Sequence, residues 1–103
     1  MNELTSEQLG KIHQQKRTVL YLYTPFCGTC QLASKMLSVI ETIMPSISIL
    51  MKNLNYIPEY AKEWEIESVP CLLIFENGKI IKKIYAFHSV DYLYQLLKKY
   101  VPS

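Results

Sequence analysis

The chain has 103 residues, of which 50% are hydrophobic and 19% are charged, and its formal net charge is +2. This length suits one globular domain with a single core, so we expect residues 1–103 to form one domain. The apolar content argues against extensive disorder, and the small net charge gives no reason to expect nucleic acid as a partner.

The N-terminal segment, Met1 to Arg17, is polar and lacks the apolar stretch of a secretory signal. The longest wholly apolar runs, such as residues 71–75, are too short to cross a bilayer. We therefore expect a cytoplasmic protein with no membrane partner. The chain has 3 cysteines, an odd number that does not suit a framework of structural disulfides.

Helix and strand signals alternate through the first half of the chain. A capping box at Thr5 and Gln8 predicts a short helix that ends near Gln15. Residues 18–24 are mostly β-branched or aromatic, which is typical of a strand covered on both faces. Apolar residues at helical spacing predict a long helix over residues 28–44, and a second strand follows at residues 47–51.

The second half predicts a helix, two strands and a final helix. The helix ends at about residue 64, and strands at residues 71–76 and 79–87 are joined by an Asn77-Gly78 turn. Ser89 caps the last helix. The alternation of helices and strands predicts an α/β fold, a three-layer sandwich of helices around a small mixed sheet.

The chemistry is concentrated in Cys27-Gly28-Thr29-Cys30, which lies between a predicted buried strand and the long helix. The sulfur of Cys27 is next to the unpaired N–H groups of the helix start, where the helix dipole stabilises a thiolate and lowers the pKa of the thiol. Cys30 is one turn further along the helix and within reach of Cys27. An activated sulfur followed by a more buried partner is the arrangement that thiol–disulfide exchange requires.

Other interpretations of the cysteines remain open at this point. A zinc site needs four ligands, and beyond the pair the chain offers only Cys71, His13 and His88 in no second metal-binding motif. A metal or iron–sulfur site at Cys27, Cys30 and Cys71 is one alternative, and a non-catalytic protein-binding module is another. Cys71 alone is either a small core residue or a reactive or ligating one.

Two motifs about 40 residues apart add to the evidence from the cysteine pair. They are Tyr23-Thr24-Pro25-Phe26-Cys27-Gly28-Thr29-Cys30 and Glu67-Ser68-Val69-Pro70-Cys71-Leu72-Leu73-Ile74-Phe75, the second followed by Glu76-Asn77-Gly78-Lys79. With them, residues 17 to 100 resemble a thioredoxin-family protein. The resemblance implies a thioredoxin-like α/β/α sandwich with the first predicted strand at the centre of the sheet. No counterpart of the family's additional N-terminal strand is evident, so we expect a four-stranded mixed sheet.

The resemblance also implies roles for individual residues. Cys27 matches the attacking cysteine and Cys30 the resolving one, and Pro70 matches the family's cis-proline. The backbone of Val69 matches the position that pairs with an extended target peptide, and Gly28 lets that peptide approach closely.

Three residues depart from the usual pattern of the family. Phe26 replaces a common Trp and keeps an aromatic platform for substrates, whereas Thr29 replaces a common Pro and restores a backbone N–H near the sulfurs. Tyr21 stands where many thioredoxins have a buried acid.

The function that the resemblance implies is protein-disulfide reduction in cell redox homeostasis. The substrates are protein disulfides and thiols, no bound cofactor is expected, and a separate disulfide reductase supplies the electrons.

Overall fold

The computed structural model describes residues 1–101 and contains one mixed β-sheet with helices packed on both faces. This confirms the predicted α/β sandwich. The elements in chain order are β1 (Asn2–Glu3), α1 (Ser6–Gly10), β2 (Arg17–Tyr23), α2 (Gly28–Ile43), β3 (Ile49–Asn53), α3 (Pro58–Glu63), β4 (Cys71–Glu76), β5 (Lys79–Ile84) and α4 (Val90–Tyr100), with short 3₁₀ helices at Ile12–Gln14 and Leu54–Tyr56.

The sheet has five strands in the order β1-β3-β2-β4-β5, so the expected count of four was wrong. The additional strand, β1, pairs in parallel with β3 through Asn2 opposite Leu50 and Glu3 opposite Met51. Two residues are too few to show the period-two alternation by which a strand is recognised in a sequence. Only the pairing with β3 makes this segment a strand.

Strand β2 occupies the centre of the sheet, parallel to β3 on one side and antiparallel to β4 on the other. Its alternate residues face opposite cores. Val19 and Tyr21 belong to the core under α2 and α4, whereas Leu20 and Leu22 belong to the core under α1 and α3. Burial on both faces explains why this segment has no alternation of polar and apolar residues.

The first helix ends at Gly10 and not near Gln15, because the backbone of Lys11 (φ −110°, ψ 8°) leaves the helical conformation before a separate 3₁₀ turn at Ile12–Gln14. Two strand boundaries also differ from the sequence-based expectation by two or more residues, because strands end where their partners end. Strand β5 stops at Ile84, whose partner in β4 is Leu72. Leu72 is only the second residue of β4, which begins at Cys71 directly after Pro70, so β4 offers no further partners. Residues 85–87 therefore have no strand to pair with. The second predicted strand also lies slightly later than expected, at residues 49–53, where β2 offers its partners.

The turn at Asn77-Gly78 is the predicted hairpin connection between β4 and β5. Both residues have positive φ angles, 53° for Asn77 and 84° for Gly78. A Cβ atom at Gly78 would lie 2.6 Å from the Cα of His13, so glycine is required there for space as well as for conformation.

Candidate active site

Cys27 lies at the start of helix α2, just beyond the end of the central strand. Its backbone is extended, with φ −132° and ψ 105°, and its sulfur caps the helix by accepting the N–H of Cys30 at 3.2 Å. The hydroxyl of Thr29 lies 3.4 Å from the same sulfur. Donors directed at the sulfur favour its thiolate form, as the position of Cys27 in the sequence predicts.

Cys27 and Cys30 are joined by a disulfide bond, with their Cα atoms 5.2 Å apart. The two residues differ in exposure, because Cys27 is half-buried at the helix start whereas Cys30 is only 3% exposed. Cys30 is the third residue of α2, in its first turn, on the side that faces the sheet. The pair thus consists of an accessible sulfur and a protected one.

The cis-proline segment reaches this site because β4 runs antiparallel to β2. Leu22, near the end of β2, pairs with Cys71 at the start of β4. Residues that follow β2 and residues that precede β4 therefore meet at the same edge of the sheet. The Val69–Pro70 peptide bond at this edge is cis.

Thr29 and Pro70 line a common surface groove with a volume of about 320 Å³. The remaining walls of the groove come from helix α2 and from the segment that links β5 to α4. They are mostly apolar and comprise Leu32, Ala33, Met36, Tyr85, Phe87 and His88. The fold thus places an apolar groove beside the cysteine pair.

Phe26 and Gly28 flank Cys27 on its exposed side. Phe26 is fully exposed, at 102% of its reference surface, which is unusual for a phenylalanine and leaves its ring open to a partner. A Cβ atom at Gly28 would meet nothing within 4 Å, so space in front of the helix start is open. Of the predicted substrate-binding residues, Val69 and Pro70 are half-buried and the other three are exposed.

Tyr21 lies beneath Cys30 and is 1% exposed. Its hydroxyl donates a hydrogen bond to the carbonyl oxygen of Cys30 at 2.6 Å. Burial raises the pKa of Tyr21 to about 12, so this phenol is protonated at neutral pH. This position beneath Cys30 therefore carries a neutral hydrogen-bond donor and not an acid.

Tyr21 is also linked to the edge of the sheet through a second tyrosine. Its ring stacks against that of Tyr23 with centroids 5.8 Å apart, and the hydroxyl of Tyr23 donates to the Glu3 carboxylate. Burial, together with this hydrogen bond and the charge of Glu3, raises the pKa of Tyr23 to about 12. The unpredicted strand β1 thus supplies a contact to the layer beneath the redox pair.

Cys71 is fully buried and forms no disulfide. Burial raises the pKa of its thiol to about 11, while a hydrogen bond with Tyr85 opposes the rise. These features agree with the interpretation of Cys71 as a core residue. Within residues 1–101 no three His, Cys, Asp or Glu side chains form a group that could hold a metal ion.

Several groove residues carry no signal of their role in the sequence. Leu32 and Met36 fit the helical spacing of the α2 core, yet Leu32 is 57% exposed. His88 has no motif around it, and it lies at the groove with a positive φ of 57°. Spacing places a residue on a helix face, but only the packed neighbours decide whether that face is covered.

No helix within residues 1–101 has the length and hydrophobicity needed to span a membrane.

Comparison with known proteins assigns the chain to a family. The thioredoxin family model matches residues 2–99. The thioredoxin-like protein YusE of Bacillus subtilis is 52% identical over 99 residues, which cover 96% of this chain and 92% of that protein.

Solved structures show the same fold. A thioredoxin from Fasciola hepatica superposes with a TM-score of 0.80 at 15% identity, covering 97% of this chain and 99% of that one. A thioredoxin variant from Halobacterium salinarum gives 0.77 at 17% identity, covering 100% and 91%. With a cysteine pair at disulfide distance at the start of α2, the chain belongs to the thioredoxin family and is a thiol–disulfide oxidoreductase that acts on protein thiols.

Proposed function

We propose that the protein reduces disulfide bonds in other proteins, with Cys27 as the attacking cysteine and Cys30 as the resolving one. The observation that carries this assignment is the contrast between the two sulfurs. Cys27 is accessible and accepts a backbone N–H at the helix start, whereas Cys30 is 3% exposed. A bulky target disulfide has access to the first sulfur and not to the second.

The first step forms a mixed disulfide. The Cys27 thiolate attacks one sulfur of the target disulfide, the target S–S bond breaks, and the other target sulfur leaves as a thiolate that takes up a proton. The helix-start N–H groups favour the Cys27 thiolate before the attack. A hydrogen bond from the hydroxyl of Thr29, 3.4 Å away, supports the same ionised state.

The second step releases the target. The Cys30 thiol loses its proton and attacks the sulfur of Cys27, the mixed disulfide breaks, and the second target sulfur leaves as a thiol. Two electrons pass from the pair to the target, and Cys27 and Cys30 end as the disulfide present in the structure. The proton of Cys30 goes to solvent or to the leaving target sulfur, because Tyr21 beneath it is already protonated.

Target binding in this proposal uses the surface around Cys27. The backbone of Val69 lies before the first residue of β4 and outside the strand pairings, which leaves it available to an extended peptide. The exposed ring of Phe26 offers apolar contact, and Gly28 leaves room for a target backbone. Thr29 and Pro70 border the adjoining groove.

The cycle needs a source of electrons to restore the dithiol. We propose a separate disulfide reductase as the donor, with no cofactor bound to this chain, and a cytoplasmic setting in which thiols are kept reduced. The role in the cell is then the maintenance of protein thiols.

The direction of the reaction is tested by the equilibrium potential of the Cys27–Cys30 pair, measured against glutathione. A reductase requires a value below that of the cytosolic glutathione pool, which is about −220 to −260 mV by extraction. A potential well above that range would contradict the proposed direction and indicate an oxidase or isomerase.

The roles of the two cysteines are tested by trapping. Cys30→Ser lacks the resolving thiol and should accumulate mixed disulfides with protein partners, whereas the matched variant Cys27→Ser should accumulate none. Each variant is used to capture partners from cell extracts under non-denaturing conditions, and non-reducing electrophoresis then detects the mixed disulfides. Trapping by Cys27→Ser alone would reverse the assignment, and equal trapping by both variants would contradict it.

A further inference from the structure

Tyr85 lies one residue beyond the end of β5 and contacts the segment that leads to the cis-proline. Its hydroxyl accepts the backbone N–H of Glu67 at 3.2 Å. Glu67 precedes Val69 by two residues, and Val69 is the residue proposed to pair with a target peptide. A hydrogen bond at this point fixes the backbone just before the peptide-binding edge.

The same side chain also reaches the other end of this segment. Like Val69, Tyr85 packs against the core cluster that contains Cys71. Glu67 and Cys71 lie on either side of Ser68-Val69-Pro70. Tyr85 is therefore hydrogen-bonded to the chain before these three residues and packs against the core cluster in which the chain continues after them.

A side chain within β5 itself anchors the beginning of the segment. The ammonium of Lys83 donates to the carbonyl oxygen of Glu65 at 3.1 Å. Glu65 has a φ of 54°, a left-handed conformation that residues other than glycine seldom adopt. A hydrogen bond to its carbonyl oxygen favours this backbone conformation over the alternatives.

These contacts join the edge strand β5 and the residue after it to the segment that follows α3 in the chain. From Glu65 to Pro70 the backbone forms neither helix nor strand. Its geometry therefore depends on side chains that reach it from other elements.

We propose that Tyr85, together with Lys83, is a positioning residue that holds residues 65–70 so that the backbone of Val69 is presented to target peptides. The inference rests on the proposed function. It implies that loss of the Tyr85 hydroxyl weakens the recognition of substrates with a peptide backbone and leaves the chemistry of the cysteine pair unchanged.

The test compares two substrates in the full chain. Insulin presents disulfides within a polypeptide, whereas hydroxyethyl disulfide has no peptide backbone. For Tyr85→Phe we expect KM for insulin to rise about fivefold, which corresponds to roughly 1 kcal/mol and to one hydrogen bond. We expect kcat, the rate with hydroxyethyl disulfide and the redox potential to stay close to those of the natural protein.

Two further variants locate the effect in the segment. Tyr94→Phe removes a hydroxyl from a half-buried tyrosine on α4 and should leave KM unchanged. Lys83 does not line the groove and reaches the site only through its hydrogen bond to Glu65. A rise in KM for insulin with Lys83→Met is therefore expected only if the position of residues 65–70 affects substrate binding. If Tyr85→Phe fails to fold, Lys83→Met still tests whether the position of residues 65–70 affects substrate binding.

A measurement without substrate completes the test. Amide hydrogen exchange at Glu67 should become faster in Tyr85→Phe and stay unchanged in Tyr94→Phe, because only the first variant removes the acceptor of this N–H. An unchanged KM for insulin in Tyr85→Phe, or a parallel loss with both substrates, overturns the positioning role. Failure of the natural protein to reduce insulin overturns the proposed function instead.

Discussion

The hydroxyl of Tyr21 donates a hydrogen bond to the carbonyl oxygen of Cys30 at 2.6 Å, and both residues are buried. This contact connects the central strand β2 to the first turn of α2, directly beneath the redox pair. The phenol keeps its proton at neutral pH because burial raises its pKa to about 12. Tyr21 thus supports the position of Cys30 and does not act as its base.

Tyr21→Phe should lower the free energy of unfolding by about 0.5–1.5 kcal/mol, the usual net contribution of one hydrogen bond. The loss is moderate because Cys30 lies in the first turn of α2, where its carbonyl oxygen also accepts a helix hydrogen bond. Urea denaturation of the oxidised protein measures it. The matched variant Tyr92→Phe, at a tyrosine that is 43% exposed, should show almost no loss, and equal losses in the two variants would contradict the assigned contact.

Stability at alkaline pH should depend on Tyr21. The pKa of its phenol is 10.0 in the reference state and about 12 in the folded protein, so the native state holds this proton more tightly. The resulting stabilisation is fully present below pH 10.0 and is lost as the pH rises towards about 12.

The comparison of Tyr21→Phe with the natural protein isolates this contribution from those of Tyr23 and Cys71, which titrate in the same range. The free energy of unfolding of the natural protein should fall more steeply, by up to about 1.4 kcal/mol per pH unit for one group. Denaturation curves across this range provide the measurement. Parallel pH profiles for the two proteins would show that Tyr21 does not titrate as expected.

Alkylation of the reduced protein should begin at Cys27. Cys30 is 3% exposed and Cys71 is fully buried, whereas Cys27 is half-buried at the helix start. The pKa of Cys71, raised from 9.0 to about 11, leaves it about a hundredfold less thiolate than an ordinary cysteine at neutral pH. Brief iodoacetamide treatment followed by mass mapping gives the order. Preferential labelling of Cys30 would contradict the proposed roles.

Thr29 should tune the redox potential through the thiolate of Cys27. Its hydroxyl lies 3.4 Å from the sulfur, and its backbone N–H belongs to the helix start. Both donors favour the reduced form, so Thr29→Pro, which removes both, should make the pair more reducing. A shift of about 30 mV corresponds to roughly 1.4 kcal/mol for this two-electron couple.

Thr29→Val separates the two donors because it keeps the N–H and removes only the hydroxyl. We expect its potential to lie between those of Thr29→Pro and the natural protein, measured by equilibration with glutathione. A potential unchanged in Thr29→Pro, or shifted to more oxidising values, would show that neither donor acts on the thiolate.

The start of helix α2 at the cysteine pair was predictable because it depends on interactions between near neighbours. A strand of β-branched and aromatic residues, a proline and a run of apolar residues at helical spacing place Cys27 at a helix start. The capping box of Thr5 and Gln8 and the capping of α4 by Ser89 are present for the same reason. Caps and tight turns are decided by hydrogen bonds over three or four residues, which the order of residue types reveals.

The contacts that complete the site were decided only by the packed fold. Strand β1 exists because β3 offers it a partner, and the groove beside Pro70 exists because α2 and the segment after β5 meet there. Tyr21 reaches Cys30 across two elements, and Tyr85 reaches Glu67 from 18 residues away. Such contacts depend on the order, register and direction of strands, which residues far apart in the chain determine together, so no local pattern in the sequence encodes them.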